Sequence, residues 1–192
     1  MTSRLLTAAV IPLCFVAEDM WLKDAYPSLY ATKGEYGFSK AYALMLLINV
    51  VACSLYTMIS GFMVGYARRQ CVEEAQEAGD KDAEERYLLP KMQAEGFSAT
   101  ARKFNIMQRC HYQILESFQI WLVTSIIGGW EYPLSVAFFG AIWIKARMDW
   151  ATGYKARGPK ERYSVGIAPW TWYAVFTPSM AIMAQCGKVL LK

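Results

Sequence analysis

Charged residues are spread unevenly along the chain. From Ala41 to Tyr66 there are 26 residues without one, and from Tyr163 to Gly187 there are 25. Each run exceeds the roughly 20 residues a helix needs to cross a hydrocarbon core, so each predicts a membrane span. Two shorter charge-free runs, Ser117 to Trp130 and Tyr132 to Ile144, lie between them. They reach spanning length only by extension, the first backwards through Glu116, Gln113 and Arg109, the second forwards through Lys145, Arg147 and Asp149. Both extensions put ionisable groups at membrane depth, where they are expected to face a helical interior, a partner or a wet cavity. The pattern predicts four transmembrane helices, near 41–67, 105–130, 133–156 and 163–187. That is an all-α, four-transmembrane-helix, up-down bundle.

Two stretches fall outside this scheme. Leu5 to Ala17 is an apolar run of 13 residues broken by Pro12, a length that suits an interfacial or re-entrant segment better than a span. Between Glu73 and Glu85 there are seven acidic residues mixed with alanine and lysine. They predict a solvated helical excursion, broken at Gly79 and ended near Pro90. The chain divides accordingly into an N-terminal extension, 1–34, and a four-helix domain, 35–192, with an acidic insertion at 70–90.

Composition agrees with the bilayer as the chain's surroundings: 55% of residues are hydrophobic and 15% aromatic. Of 20 Lys and Arg residues, seven lie between Arg68 and Lys103 and four between Lys155 and Arg162. By the positive-inside tendency these two segments face the cytoplasm or its organellar equivalent. The net charge of +4 mostly reflects this asymmetry, and no basic patch alternates with stacking aromatics outside the spans, so nucleic acid is not an expected partner. Trp130, Tyr132, Trp170, Trp172 and Tyr173 sit where interfacial aromatic belts form. Pro169 and Pro178 are expected to kink the last span. The five cysteines are isolated and never spaced as CxxC, which suggests neither a disulfide framework nor a zinc site. With a single histidine, His111, no metal centre is expected. Lys145 and Asp149, four apart, are placed to pair along one helix face, with Arg147 on another.

One stretch carries candidate chemistry. In RCHYQILESF (109–118) the side chains of Arg109, Gln113 and Glu116 fall within a stripe about 60° wide on one helix face. Such a stripe in an apolar helix either contacts a ligand or forms a polar seam that locks helices or protomers together. Arg69 and Arg162 close their helices as positive-inside residues or as functional cations.

An ordered set of blocks makes the pattern more specific: ARR (67–69), PKM (90–92), FNIMQRCH (104–111), LES (115–117), GGWEYP (128–133), GAIWIKARMDWATGY (140–154) and GPKER (158–162). Together they resemble the MAPEG family, the membrane-associated proteins of eicosanoid and glutathione metabolism. With EYGF (35–38) the similarity is greatest to the microsomal glutathione S-transferases of the third type. The resemblance implies a trimer with glutathione bound between protomers. It implies that Arg109, Gln113 and Glu116 hold the polar ends of glutathione, an arginine fork suiting a carboxylate and a glutamate an ammonium. It also implies that Arg68, Trp150 and Tyr154 line the ligand, that Arg69 assists catalysis, and that Arg162 stabilises the thiolate. Family members add that thiolate to lipophilic electrophiles or reduce lipid hydroperoxides.

The sequence departs from the family pattern at several points. Gln113 stands where the family has asparagine, Trp150 where it has tyrosine, and Ser117 and Gln119 follow Glu116 where other residues are usual. Asp149 adds a carboxylate placed to pair with an arginine. Two functions are therefore expected in parallel. One is a glutathione transferase or peroxidase of the endoplasmic reticulum or a mitochondrial membrane. The other is a catalytically degenerate accessory subunit of a large membrane complex, for example a mitochondrial respiratory assembly.

Overall fold

A computed structural model describes residues 2–32, 37–89 and 92–191; parts of the EYGF and PKM blocks, at 35–36 and 90–91, and the expected helix end at Pro90 lie outside the described residues. The described chain is helical, with no strand among its described residues. Helix α1 (Thr2–Ala17) runs on through a π-helical turn, Glu18–Leu22, into Lys23–Ala25. Helix α2 spans Lys40–Glu77, α3 Ala99–Gly128, α4 Pro133–Arg157 and α5 Thr171–Leu190.

Local chemistry sets these bounds. The Ser39 hydroxyl accepts the Tyr42 N–H (3.1 Å) to open α2, and the Ser98 hydroxyl accepts the Ala101 N–H (3.0 Å) to open α3. Helix α2 continues past the predicted end at 67 to Glu77 because ARRQCVEEAQE is built almost wholly of good helix formers. It stops ahead of Gly79, whose φ of +84° no helix tolerates. Helix α3 likewise starts at Ala99 rather than at 105. Helix α5 starts at Thr171 and not at 163, because Gly166 and Pro169 divert the chain through a short 3₁₀ turn, Ala168–Trp170. Pro169 thus precedes the helix, and only Pro178 lies inside it.

The long helices pack α2 on α3, α3 on α5, α4 on α5, and the first half of α2 on α4. Trp121 and Trp143 stack at the centre with ring centroids 4.7 Å apart, and Trp121 Nε1 donates to the Ala174 carbonyl (3.2 Å). A polar node ties three helices. Buried Asn49, in a π-helical stretch of α2 (Leu46–Ala52), donates to Ser125 Oγ (3.2 Å) on α3 and to the Val136 carbonyl (3.1 Å) on α4. Gly140 makes room for it, since a Cβ there would lie 1.9 Å from Asn49 Oδ1.

Among the described residues one helix, α2, is by itself long and apolar enough to cross a membrane, and only 22% of its apolar stretch is buried. Leu47, Leu55, Ile59 and Phe62 stand exposed along it. A helix that turns its apolar residues outward needs a non-aqueous neighbour on that face.

The N-terminal segment, expected as an interfacial or docking element, folds back on its own chain. Ile11 and Phe15 are buried against the core, and the Phe15 and Tyr132 rings meet at 4.7 Å. Glu18, fully buried, accepts the N–H groups of Leu134 (2.9 Å) and Ser135 (2.7 Å) and the Tyr30 hydroxyl (3.1 Å). These amides belong to the first turn of α4, which has no side-chain cap of its own. Around this anchor Lys23 pairs with Asp19 (2.7 Å) and Glu131 (2.8 Å), Lys188 pairs with the same two carboxylates, and the Tyr132 hydroxyl donates to Asp19 (3.0 Å).

The acidic insertion is also tied down. Helix Ala83–Tyr87 buries Tyr87 against Phe104, and Arg68 donates to the carbonyls of Tyr87 (3.2 Å) and Leu89 (3.1 Å) while lying over the Phe104 ring.

Candidate functional site

Helix α3 divides the predicted stripe into two layers. Arg109 and Glu116, seven residues apart, point outward and form an ion pair with each other, their side chains 46% and 56% exposed. Gln113, between them in sequence, turns inward and is buried. Its Oε1 accepts a hydrogen bond from Arg147 on α4, and its carbonyl accepts a second (2.8 Å). The other Arg147 terminal nitrogen donates to Ser117 Oγ, and the guanidinium lies 5.4 Å from the Trp143 ring centroid. Arg147 is a buried cation held by neutral acceptors and an aromatic face, while its Nε and the Nε2 of Gln113 have no partner among the described residues.

The sequence places Arg147 on a different face from Lys145 and Asp149, which the structure shows, but nothing local marks it as the partner of Gln113 and Ser117. The predicted Lys145–Asp149 pair forms. Asp149 does not pair with an arginine; its second oxygen accepts the Ile167 N–H (2.9 Å), pinning the loop that leads into α5. Gly166 permits this approach, because a Cβ there would lie 2.2 Å from Asp149 Oδ2.

The remaining candidates lie towards the basic-loop end of the helices. Trp150 is buried with Cys110 and Ala168 and stacks on Tyr154 with centroids 4.9 Å apart and planes 10° from parallel. Its bulk fills the space between α3, α4 and the turn before α5. Arg162 donates to the Pro159 carbonyl (2.9 Å) and lies over the Tyr163 ring. Arg69 is exposed on α2 eight residues before its end at Glu77, one residue beyond the clamped Arg68. His111 shares a hydrogen bond with Ser60 of α2 (3.2 Å).

The sequence matches the model of the MAPEG family over residues 46–186. The chain belongs to the MAPEG family. The matched region contains every candidate named above, from Arg68 to Arg162, and leaves the capping residue Glu18 outside it. No solved structure matches the chain. MAPEG membership together with the outward-facing apolar α2 makes this an integral membrane protein of a glutathione-associated family.

On its outward side the stripe presents one group of each sign. Arg109 presents a planar fork of donors for a carboxylate, and Glu116 presents an acceptor for an ammonium group. In the single chain the two charges satisfy each other. A zwitterionic ligand would exchange that internal pair for two external ones.

Proposed function

We propose that this MAPEG protein is a glutathione-dependent transferase or peroxidase of the kind resembling the microsomal glutathione S-transferases of the third type. The reading has all four long helices crossing the membrane and a second copy of the chain covering the outward face of α3, in a homotrimer. The observation that carries it is the Arg109–Glu116 pair, two charges of opposite sign left exposed on a helix that this reading places in the membrane. Such a pair is expensive against lipid and calls for a polar ligand or a neighbouring subunit.

In this reading Arg109 takes a glutathione carboxylate and Glu116 its ammonium group. Arg69 on α2 and Arg162 in the loop after α4 supply positive charge beside the thiol, which favours the thiolate. Conjugation then forms a carbon–sulfur bond with the thiolate's electron pair while the leaving group departs with its own. Peroxide reduction oxidises two glutathione molecules to the disulfide and converts the hydroperoxide to an alcohol and water.

A second reading has a specific observation in its favour. Gln113 is engaged inward by Arg147, and Trp150, where the resemblance expects a ligand-binding tyrosine, is buried. On that reading the fold serves as a structural subunit of a larger assembly.

Equilibrium binding of glutathione to the full chain in detergent, with native mass measured on the same sample, separates the two. Micromolar to millimolar binding by a small homo-oligomer, abolished in Arg109→Ala/Glu116→Ala, is the expected result. Absence of binding refutes the enzyme reading.

A further inference from the structure

Helices α2 and α3 run antiparallel, as three contacts show. Cys71 meets the Thr100 carbonyl, Arg68 lies on Phe104, and Ser60 shares a hydrogen bond with His111. Between them opens a groove of about 470 Å³. Its volume falls in the range of small-molecule sites, and nothing in the Arg109–Glu116 site borders it.

The groove is polarised along its length by the antiparallel register. At the end towards the middle of the helices its walls are Met63 of α2 and Met107 of α3. At the other end stand Arg102 and Lys103 of α3, with Tyr66 between the two zones; Lys155, from the last turn of α4, joins the wall about one helical turn nearer the middle, near Ile106, as the Cys110–Ala151 contact between α3 and α4 shows. Tyr66 is also the last residue of the charge-free run on α2, so the groove straddles the level at which the helix leaves the hydrocarbon. Lys103 is anchored by Glu74, but Arg102 and Lys155 are exposed and carry no hydrogen bond or ion pair among the described residues. The groove therefore keeps two uncompensated positive charges beside its apolar walls, about one helical turn apart.

We propose that this groove seats an anionic phospholipid of the leaflet on the basic-loop side. The headgroup phosphate binds between Arg102 and Lys155, and one acyl chain runs down past Tyr66 to Met63 and Met107. The order of polarity selects this occupant. A soluble anion would use the cations and leave the apolar walls wet; a neutral lipid would use the walls and leave the cations without a counter-ion. The inference is independent of glutathione binding, since it needs only the membrane and the groove.

Native mass spectrometry of the full chain released from mixed nanodiscs tests it, with phosphatidylglycerol and phosphatidylcholine in equal amounts. Phosphatidylglycerol is expected to be retained preferentially. Arg102→Gln/Lys155→Gln is expected to weaken that retention about thirtyfold, on the scale of two interfacial cations. Both residues are exposed, so folding is not at stake. Met107→Trp, which fills the apolar end, should lower phosphatidylglycerol retention with the charges intact. Equal retention of the two lipids, or retention unchanged in the double variant, overturns the proposal. So does a loss in the double variant that inorganic phosphate alone reproduces by competition while Met107→Trp has no effect, because that result describes an anion site without a lipid chain.

Discussion

The contact with the most testable energetics is the one Glu18 makes with α4. Its carboxylate is wholly buried and accepts two backbone N–H groups, of Leu134 and Ser135, at 2.9 and 2.7 Å. Replacing it by alanine leaves two first-turn amides without an acceptor, at about 1–3 kcal/mol each, and removes an anion from the positive end of the helix dipole. Leu134 is partly exposed and can recruit water, so the lower part of that range applies, and the sum is about 3 kcal/mol. For a chain of this size that corresponds to a fall in Tm of about 6–12 °C. Glu18→Gln keeps one acceptor oxygen and is expected to lose about half as much. Thermal unfolding of detergent-solubilised protein, followed through the fluorescence of the buried Trp121–Trp143 stack, gives the shift. Hydrogen exchange at Leu134 and Ser135 localises it to the first turn of α4. If both variants unfold within about 1 °C of the parent and exchange at those two amides is unchanged, the capping argument is wrong.

Two further predictions concern charge. Gln113→Leu strips Arg147 of its amide acceptor and is expected to cost about 2–4 kcal/mol, whereas Gln113→Leu/Arg147→Met should recover most of that loss, because removing a buried polar pair together leaves no orphan; additive losses in chemical denaturation would contradict the seam. The Asp19–Lys23–Glu131–Lys188 cluster sets the other. Partial burial opposes ionisation of Asp19 and Glu131, but hydrogen bonds from Lys188 and Lys23 outweigh it and hold both carboxyls below their usual range. Groups lowered in this way stabilise the fold fully above their ordinary pKa of about 4 and lose that contribution as pH falls through the folded value. Burial opposes the charge of Lys23 and Lys188 as well, yet their bonds to the carboxylates raise both, so their contribution fades only when pH rises beyond about 10.5. Hydrogen exchange of residues 9–25 should therefore be flat between about pH 5 and 9 and quicken, beyond the intrinsic pH dependence, below about 4; no such excess would refute the clamp.

The long helices were legible because charge-free runs and helix-forming residues act locally, and the errors lie at their ends. Helix α2 overran its predicted end since ARRQCVEEAQE carries charge but no helix breaker, and charge marks where a membrane ends rather than where a helix does. The Lys145–Asp149 pair was legible for the same local reason, being four residues apart on one helix. Glu18 was not: its partners lie 116 and 117 residues away, and one glutamate after an apolar run has no pattern to announce them. The sequence marks Arg147 as a charge in a helix extension, but its partners depend on how α3 and α4 are rotated against each other, which periodicity alone does not fix. Asn49 is one amide in an apolar run with no local pattern to mark it, although it ties three helices together.

The rotation of α3 also bears on what the stripe can do. Side chains at positions 109 and 116, seven apart, share a face almost fully, whereas position 113 is offset from each by tens of degrees. That offset suffices to carry Gln113 across the boundary between the outward surface and the contact with α4. The stripe is therefore split into two halves on either side of a helix edge. The inner half is occupied by Arg147 and Ser117, and a ligand reaching Gln113 would have to displace a buried guanidinium that has no carboxylate to fall back on. The outer half asks nothing of the interior: Arg109 and Glu116 need only let go of each other. On the glutathione reading proposed above, recognition at this stripe falls to the outer pair, and Gln113 enters it through the position of α3 rather than through a hydrogen bond of its own.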